Sequence, residues 1–138
     1  MAVIDGRTWL EHLSQSECWE KLSRAGVGRV GVLIDSAPEI YPVNFVVDDH
    51  TIVFRTDAGN KLDGIDRSPT VCFEADALDL DEHIGWSVLV KGRAAEIVTP
   101  AERRAAASLP LEFWAFGPKA HWIRIRPTEV TGRAIRRP

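Results

Sequence analysis

The sequence predicts a mainly β domain of the α+β class, with about six antiparallel strands curling into a small barrel and short helices at its flanks. Runs such as TVCFEAD (70–76) and HWIRIRP (121–127) alternate apolar and polar residues, the period of a strand buried on one face. Turn-forming residues separate successive runs at hairpin distances. Two helix-start patterns, Ser14 with Glu17 and Thr99-Pro100 with Glu102, frame the strand-rich stretch. So many strands on one core tend to close on one another, because closure removes unpaired edges.

In chain order, Ser14 and Glu17 have capping-box spacing and open a helix over about residues 15–25, with Cys18, Leu22 and Ala25 on one stripe and Gly26 as the stop. GRVGVLID (28–35) and EIYPVNFVVDD (39–49) form two strands around a turn at SAPE. Asp48-Asp49-His50 turns the chain into a third strand, TIVFRT (51–56). TVCFEAD is the fourth and WSVLVKGRAAEIV (86–98) the fifth, with DALDLDEHIG (76–85) read as a polar loop between them. Thr99-Pro100-Ala101-Glu102 starts a helix that runs through ERRAAAS. After the loop LPLEFWAFGPKA (109–120), HWIRIRP places Trp122, Arg124 and Arg126 on one face and His121, Ile123 and Ile125 on the other. TGRAI (131–135) is a last short strand. At 138 residues and 45% hydrophobic, with no repeat or low-complexity tract, the chain is expected to form one domain over 1–138.

A net charge of -3 and a pI near 5.8 provide no overall field to attract nucleic acid or an anionic membrane, so neither partner is expected. The start MAVIDGRTWLEHL lacks the basic-then-apolar pattern of a leader, which suggests a soluble cytoplasmic protein. Cys18 and Cys72 lack CxxC spacing and are expected to be two buried thiols. His12, His50, His83 and His121 show no metal-ligand spacing, and no nucleophile or paired-carboxylate pattern marks a catalytic side chain.

The stretch IVFRTDAGNKLDGI (52–65) passes from strand to helix and places Arg55, Thr56 and Lys61 at the junction. A phosphate monoester needs converging donors: a guanidinium, a hydroxyl and backbone amides at a helix start. This junction offers all three, with Gly59 allowing close backbone approach. The same cations also suit a solvated surface beside Asp57 and Asp63. Pro42 within YPVNF removes a ladder donor, so this strand should be an edge or irregular there, freeing backbone of Val43 and Asn44 for a polar heteroaromatic ring or for water. Trp86 and Ser87 begin the fifth strand and could wall a pocket, although a tryptophan serves equally well in a core.

Taken in order, GRVGVLID, YPVNF, FRT followed by GNKL, GWSVLVKGRAAEI and WIRIRPTEVTGR resemble the pyridoxamine 5'-phosphate oxidase-like FMN-binding split barrels, over about residues 16–135. The resemblance is to their short, nitroimidazole-reductase-like branch, which also includes deazaflavin-dependent reductase-like proteins. It implies a six-stranded antiparallel split barrel acting as a homodimer, with two FMN molecules in clefts between the subunits. On this likeness Arg55, Thr56, Lys61 and Leu62 match phosphate-binding positions, and Pro42, Val43 and Asn44 match the strand beneath the isoalloxazine ring. Ser87, with Trp86 beside it, matches a polar position near the flavin, and Thr131-Gly132-Arg133 a segment reaching toward the partner subunit's cofactor. The chain lacks the extended basic terminal motif of the vitamin oxidases proper, which argues against that reaction.

The function so implied is an FMN-dependent oxidoreductase using hydride chemistry at the flavin, which requires no catalytic side chain of its own. A small-molecule substrate or electron acceptor would meet the flavin near DALDLDEHIG and LPLEFWAFGPKA. One alternative is a deazaflavin coenzyme, whose anionic tail would call on Arg124, Arg126 or Arg133. Another is a non-enzymatic flavin- or haem-binding protein. A homodimer is also expected on packing grounds, since one small barrel cannot readily bury five tryptophans, five phenylalanines and a flavin while covering its open edges.

Overall fold

The structure is a computed structural model and describes residues 3–5, 9–112, 114 and 120–136. In chain order the elements are β1 (Val3–Asp5), β2 (Leu10–His12), α1 (Gln15–Arg24), β3 (Val27–Ile34), β4 (Ala37–Asp48), β5 (Thr51–Thr56), α2 (Asn60–Arg67), β6 (Thr70–Asp79), β7 (Ile84–Glu96), α3 (Pro100–Ala107) and β8 (His121–Ile135). The sheet runs β1-β2-β8-β5-β4-β3-β6-β7, and β7 pairs back onto β8. Six of these strands therefore form a closed antiparallel ring, β8-β5-β4-β3-β6-β7, to which the β1–β2 hairpin is added.

The addition works because β8 is long. One edge pairs with β7 from Glu96↔Ile123 to Gly85↔Ile135. Its other edge pairs with β5 over His121–Ile125 and with β2 over Arg133–Ile135. Between those two partners, the Gln15 side-chain amide donates to the Val130 carbonyl at 2.6 Å and the Leu13 N–H to the Gly132 carbonyl at 2.9 Å. The entry to α1 thus covers an edge that no strand takes. Gly132 permits this approach, since a Cβ there would meet Cys18 Sγ at 2.7 Å.

Inside the ring Val30, Phe45, Ile52, Phe54, Phe73, Val88, Val90, Ile123 and Ile125 form the main core, capped by Leu22 of α1 and Leu62 and Ile65 of α2. Each large apolar side chain so buried contributes about 1.5–3 kcal/mol. Phe45 and Phe73 meet edge to face, their centroids 4.7 Å apart. A second, smaller core joins Val53, Ile97, Ala106 and Trp122 under α3, so both faces of β5 are covered.

Several expectations are corrected. The described residues hold eight strands, the six of the expected barrel and, ahead of the capping box, the β1–β2 hairpin that the sequence reading did not anticipate. DALDLDEHIG is mostly strand: Ala77↔Trp86, Leu78↔Gly85 and Asp79↔Ile84 continue the β6–β7 ladder, leaving a short turn. HWIRIRP and TGRAI belong to a single strand, with Pro127 accommodated where the register shifts at Lys91/Gly92. Trp122 and Arg124 do share a face away from the main core, yet Trp122 is buried in the second core. Cys18 is buried as expected, but Cys72 is exposed, because alternation along β6 turns Val71 and Phe73 inward and Cys72 outward. Much of the LPLEFWAFGPKA loop, at 113 and 115–119, lies outside the described residues.

Candidate functional site

β4 pairs with β3 over Ala37–Asn44 and with β5 over Phe45–Asp48. Pairing with β5 ends at Phe45↔Phe54, one step before Asn44 and Arg55 would meet. Arg55 and Thr56 keep only their β8 partners, Trp122 and His121. The wall therefore splits here, leaving the β5-facing edge of Pro42, Val43 and Asn44 beside the end of β5. Pro42 is paired with Arg29 on its other side, so the strand is continuous and its open edge is the one that the proline predicts.

Alternation then sorts the side chains. Thr56 points inward with Phe54, is 3% exposed, and donates its hydroxyl to the Asp57 carbonyl at 3.2 Å. Arg55 points outward, its guanidinium 4.8 Å from the centre of the Trp122 ring. Asn44 shares that outer face and accepts the Trp114 N–H at 3.2 Å. Lys61 Nζ lies 5.5 Å from the Tyr41 ring centre and 5.9 Å from that of Phe54, so its charge covers the inner end of the barrel. Leu62 is 6% exposed and acts as the anchor of α2 in the core.

Helix α2 begins without a side-chain cap: Gly59, at φ 150, occupies the N-cap position and no side chain bonds to the first-turn amides. That φ lies in a region which L side chains rarely adopt. Bare helix amides, Lys61 and Arg55 lie at one junction, with Asp57 beside Thr56 and Asp63 in the first turn of α2, and the Arg55 guanidinium packs on Trp122 while Lys61 lies over Tyr41 and Phe54. Sequence reading missed one further pair, His121 and Glu96. His121 lies opposite Thr56, and its Nδ1 is 2.7 Å from Glu96 Oε2. Nothing in the spacing of residues 96 and 121 signals this contact, which only the β7–β8 register creates.

The remaining candidates gather elsewhere. Ser87 lies between Asp76 on β6 and Arg133 on β8, which in turn faces His12 on β2. The adjacent row is Arg29, Glu74, Leu89 and Thr131. Arg29 reaches both Glu74 at 3.3 Å and Asp76 at 3.4 Å. Burial first, and then the hydrogen bond and charge of Asp76, push Glu74 up to about 7, against the opposing pull of Arg29. Trp86, Ser87 and Arg133 line a cavity of about 480 Å³ at the tip of the β6–β7 hairpin. Trp122, opposite Arg55, and Arg133 lie toward opposite ends of β8, roughly 35 Å apart along an extended strand. The candidate residues thus fall into two groups, separated along β8.

Arg124, a candidate for an anionic tail, is occupied: it donates to Asp48 at 2.9 Å and to Thr51 at 2.7 Å. Among the described residues, no group of three or more histidine, cysteine or acidic side chains could hold a metal ion, and no helix is long and apolar enough to cross a membrane.

The fold and the sequence have clear relatives. The chain is 37% identical to the FAD binding protein from Mycobacterium smegmatis, with a TM-score of 0.75, covering 91% of this chain and 98% of the other. A protein of Corynebacterium glutamicum, named as a candidate pyridoxamine 5'-phosphate oxidase, is 36% identical with a TM-score of 0.81, covering 91% of this chain and 97% of its own. An uncharacterized protein of Mycobacterium tuberculosis is 33% identical over 128 residues, 89% of this chain and 84% of that protein. The pyridoxamine 5'-phosphate oxidase family model matches residues 14–134, from the cap of α1 almost to the end of β8. With the six-stranded split ring and relatives above 30% identity over most of its length, the chain belongs to the pyridoxamine 5'-phosphate oxidase family.

Proposed function

We propose that this protein binds FMN between the two subunits of a homodimer and acts as a flavin-dependent oxidoreductase on a small molecule. The observation that carries this reading is the junction at Gly59, where α2 starts with no side-chain cap beside Arg55, Thr56, Lys61 and the open edge of β4. In this reading Arg55 and Lys61 neutralise the flavin phosphate, the first amides of α2 donate to its oxygens, and the Thr56 hydroxyl turns from the Asp57 carbonyl to join them. The backbone of Pro42, Val43 and Asn44 borders the ring, whose polar edge needs both donors and acceptors. The flavin, when bound, supplies the hydride chemistry, so the protein has to bind, orient and shield.

The separation of the two groups supports the dimer. Trp86, Ser87, Thr131 and Arg133 stand too far along β8 to complete the cleft in their own subunit, and the partner's copies are assigned to that role. A deazaflavin is disfavoured by the engagement of Arg124 with Asp48 and Thr51, which withdraws one of three tail cations. FAD is the second reading, favoured by the 37% identical relative from Mycobacterium smegmatis named as binding it. Both flavins carry the phosphate that this junction suits.

The test is to denature the purified protein and identify the released molecule by mass, with light scattering to show a dimer at micromolar concentration. Arg55→Ala should weaken FMN by about 1.5–3 kcal/mol, the scale of a charge-assisted hydrogen bond, while riboflavin, which lacks the phosphate, changes little. Equal loss for both flavins would assign Arg55 to fold stability and reject its phosphate role.

A further inference from the structure

The outer face of β4, β3, β6, β7 and β8 carries one row of residues in register: Pro42, Arg29, Glu74, Leu89 and Thr131. A sheet face turned to water is ordinarily polar. Here Ile40 is 73% exposed, Leu33 41% and Leu89 37%, and Gly31 stands between Ile40 and Cys72 in the next row. Amid these apolar residues, Arg29 Nη1 lies 3.3 Å from Glu74 Oε1 and 3.4 Å from Asp76 Oδ2. All three side chains are partly buried. Two carboxylates thus meet one guanidinium, and the hydrogen bond between Glu74 and Asp76 needs a proton on one of them. The other titratable or charged groups on this face have their own places. Lys91, opposite Cys72, is 3.6 Å from Glu129, and Arg133 stands between Ser87 and His12. Among the described residues, Arg29 is the one cation within ion-pair distance of Glu74 or Asp76.

We propose that this face is a contact between two copies of the chain, and that Arg29, Glu74 and Asp76 make their association proton-linked. The cluster enters the contact neutral, with one proton on its carboxyl pair, and releases that proton to water when the copies separate at alkaline pH. The occupant is a second copy because Ser87 and Arg133, assigned above to the partner's cofactor, belong to the same face, in the row next to Glu74. The inference therefore rests on that two-subunit reading. An isologous contact covers the same patch on both copies, so without the proton each would carry a surplus negative charge out of water. In the separate subunit burial, and then the hydrogen bond and charge of Asp76, already push Glu74 up to about 7. Covering the cluster removes more water and raises it further. The sign of the linkage follows. Below about 7 both states hold the proton and association does not respond to pH, whereas above it the separate subunit loses the proton first and Kd rises.

The experiment dilutes the full-length protein, fluorescently labelled at its N-terminus, from micromolar to nanomolar concentration and follows its mass by sedimentation, with flavin content held constant. Between about pH 6.5 and about pH 8.5 the dimer should weaken at least about tenfold, since each linked proton gives up to about tenfold per pH unit. Glu74→Gln stays neutral and can still hydrogen-bond Asp76, so it should keep the affinity of the lower pH throughout. Asp76→Asn leaves one carboxylate for one guanidinium and should flatten the profile as well. Circular dichroism verifies that both variants fold. A Kd equal at the two pH values, a dimer that tightens as pH rises, or one that resists dilution equally at both overturns the proposal. So does a pH dependence that persists in both variants, which would assign the protons to other groups. A monomer at micromolar concentration at every pH removes the homodimer itself and this inference with it, whereas a dimer with a flat profile removes the inference alone.

Discussion

At the start of α1 the Ser14 hydroxyl accepts the Glu17 amide at 3.1 Å and the Glu17 carboxylate accepts the Ser14 amide at 3.0 Å, whereas at the start of α2 Gly59 offers no side chain at all. Length does not explain the difference. α3, with eight residues like α2, has Thr99 accepting the Glu102 amide at 3.2 Å. With glycine at the N-cap the missing side chain costs only about a few tenths of a kcal/mol, which α2 offsets by burying Leu62 and Ile65. Two helices close their amides with their own side chains, while the third is held by packing and leaves its amides available. The first arrangement serves stability; the second is the one that the proposed function assigns to a ligand.

The largest expected effect comes from removing what holds α2. Leu62→Ala should destabilise the fold by about 2–5 kcal/mol in urea unfolding, since a side chain at 6% exposure leaves a cavity. A loss below about 1 kcal/mol would mean that α2 has another source of stability. Giving α2 a cap is the next test. Gly59→Asp puts a carboxylate by the amides at the cost of a strained φ, and FMN affinity should fall by about 2 kcal/mol while riboflavin, which reports the strain alone, loses far less; circular dichroism would verify that the helix survives. Unchanged FMN binding would remove the distinction between the two helix starts.

Ser14→Ala is the matched control: about 1 kcal/mol of stability should be lost with FMN affinity intact. Flavin loss in that variant would show that both helix starts serve the site. The smallest effect is in pH, where two carboxylates act in opposite directions. Hydrogen bonds from the Ser14 amide and hydroxyl hold Glu17 below its ordinary 4.5, so its contribution is present above that value and fades as pH falls. Glu74 is raised from 4.5 to about 7, so the folded chain retains its proton longer than the unfolded one. Its contribution is full below pH 4.5 and is lost as pH rises toward 7. With 34% of the side chain exposed, the loss should stay below about 1 kcal/mol. Unfolding at about pH 5 and about pH 7.5, either side of that loss, should show it, and Glu74→Gln should flatten it; an equal slope in the variant would assign the effect to other groups.

Local signals carried far into this fold. Both helix-start patterns, the strand cores and the open edge at Pro42 could be read from neighbouring residues alone. Errors arose where pairing partners are distant. Leu78 and Asp79 resemble loop residues until Gly85 and Ile84 pair with them. Pro127 reads as a strand end because the register shift that accommodates it belongs to the β7–β8 pair. The β1–β2 hairpin went unread, although Asp5-Gly6 between apolar runs is a turn signal.

For the candidate site the division is similar. The sequence by itself determined that Arg55, Thr56, Gly59 and Lys61 would lie at one strand-to-helix junction, because residues so close along the chain remain close in space; that the helix there starts without a side-chain cap is a finding of the structure. It also determined, through order and spacing, a likeness to one family over almost the whole chain. Only the tertiary structure decided that β4 and β5 separate just ahead of Arg55, that Arg124 is occupied by Asp48, and that His121 meets Glu96. It alone placed Ser87 and Arg133 toward the far end of β8 from that junction. Strand register is the physical reason: it is fixed by burial summed along two whole strands, and a one-residue slip would turn each of these side chains to the opposite face.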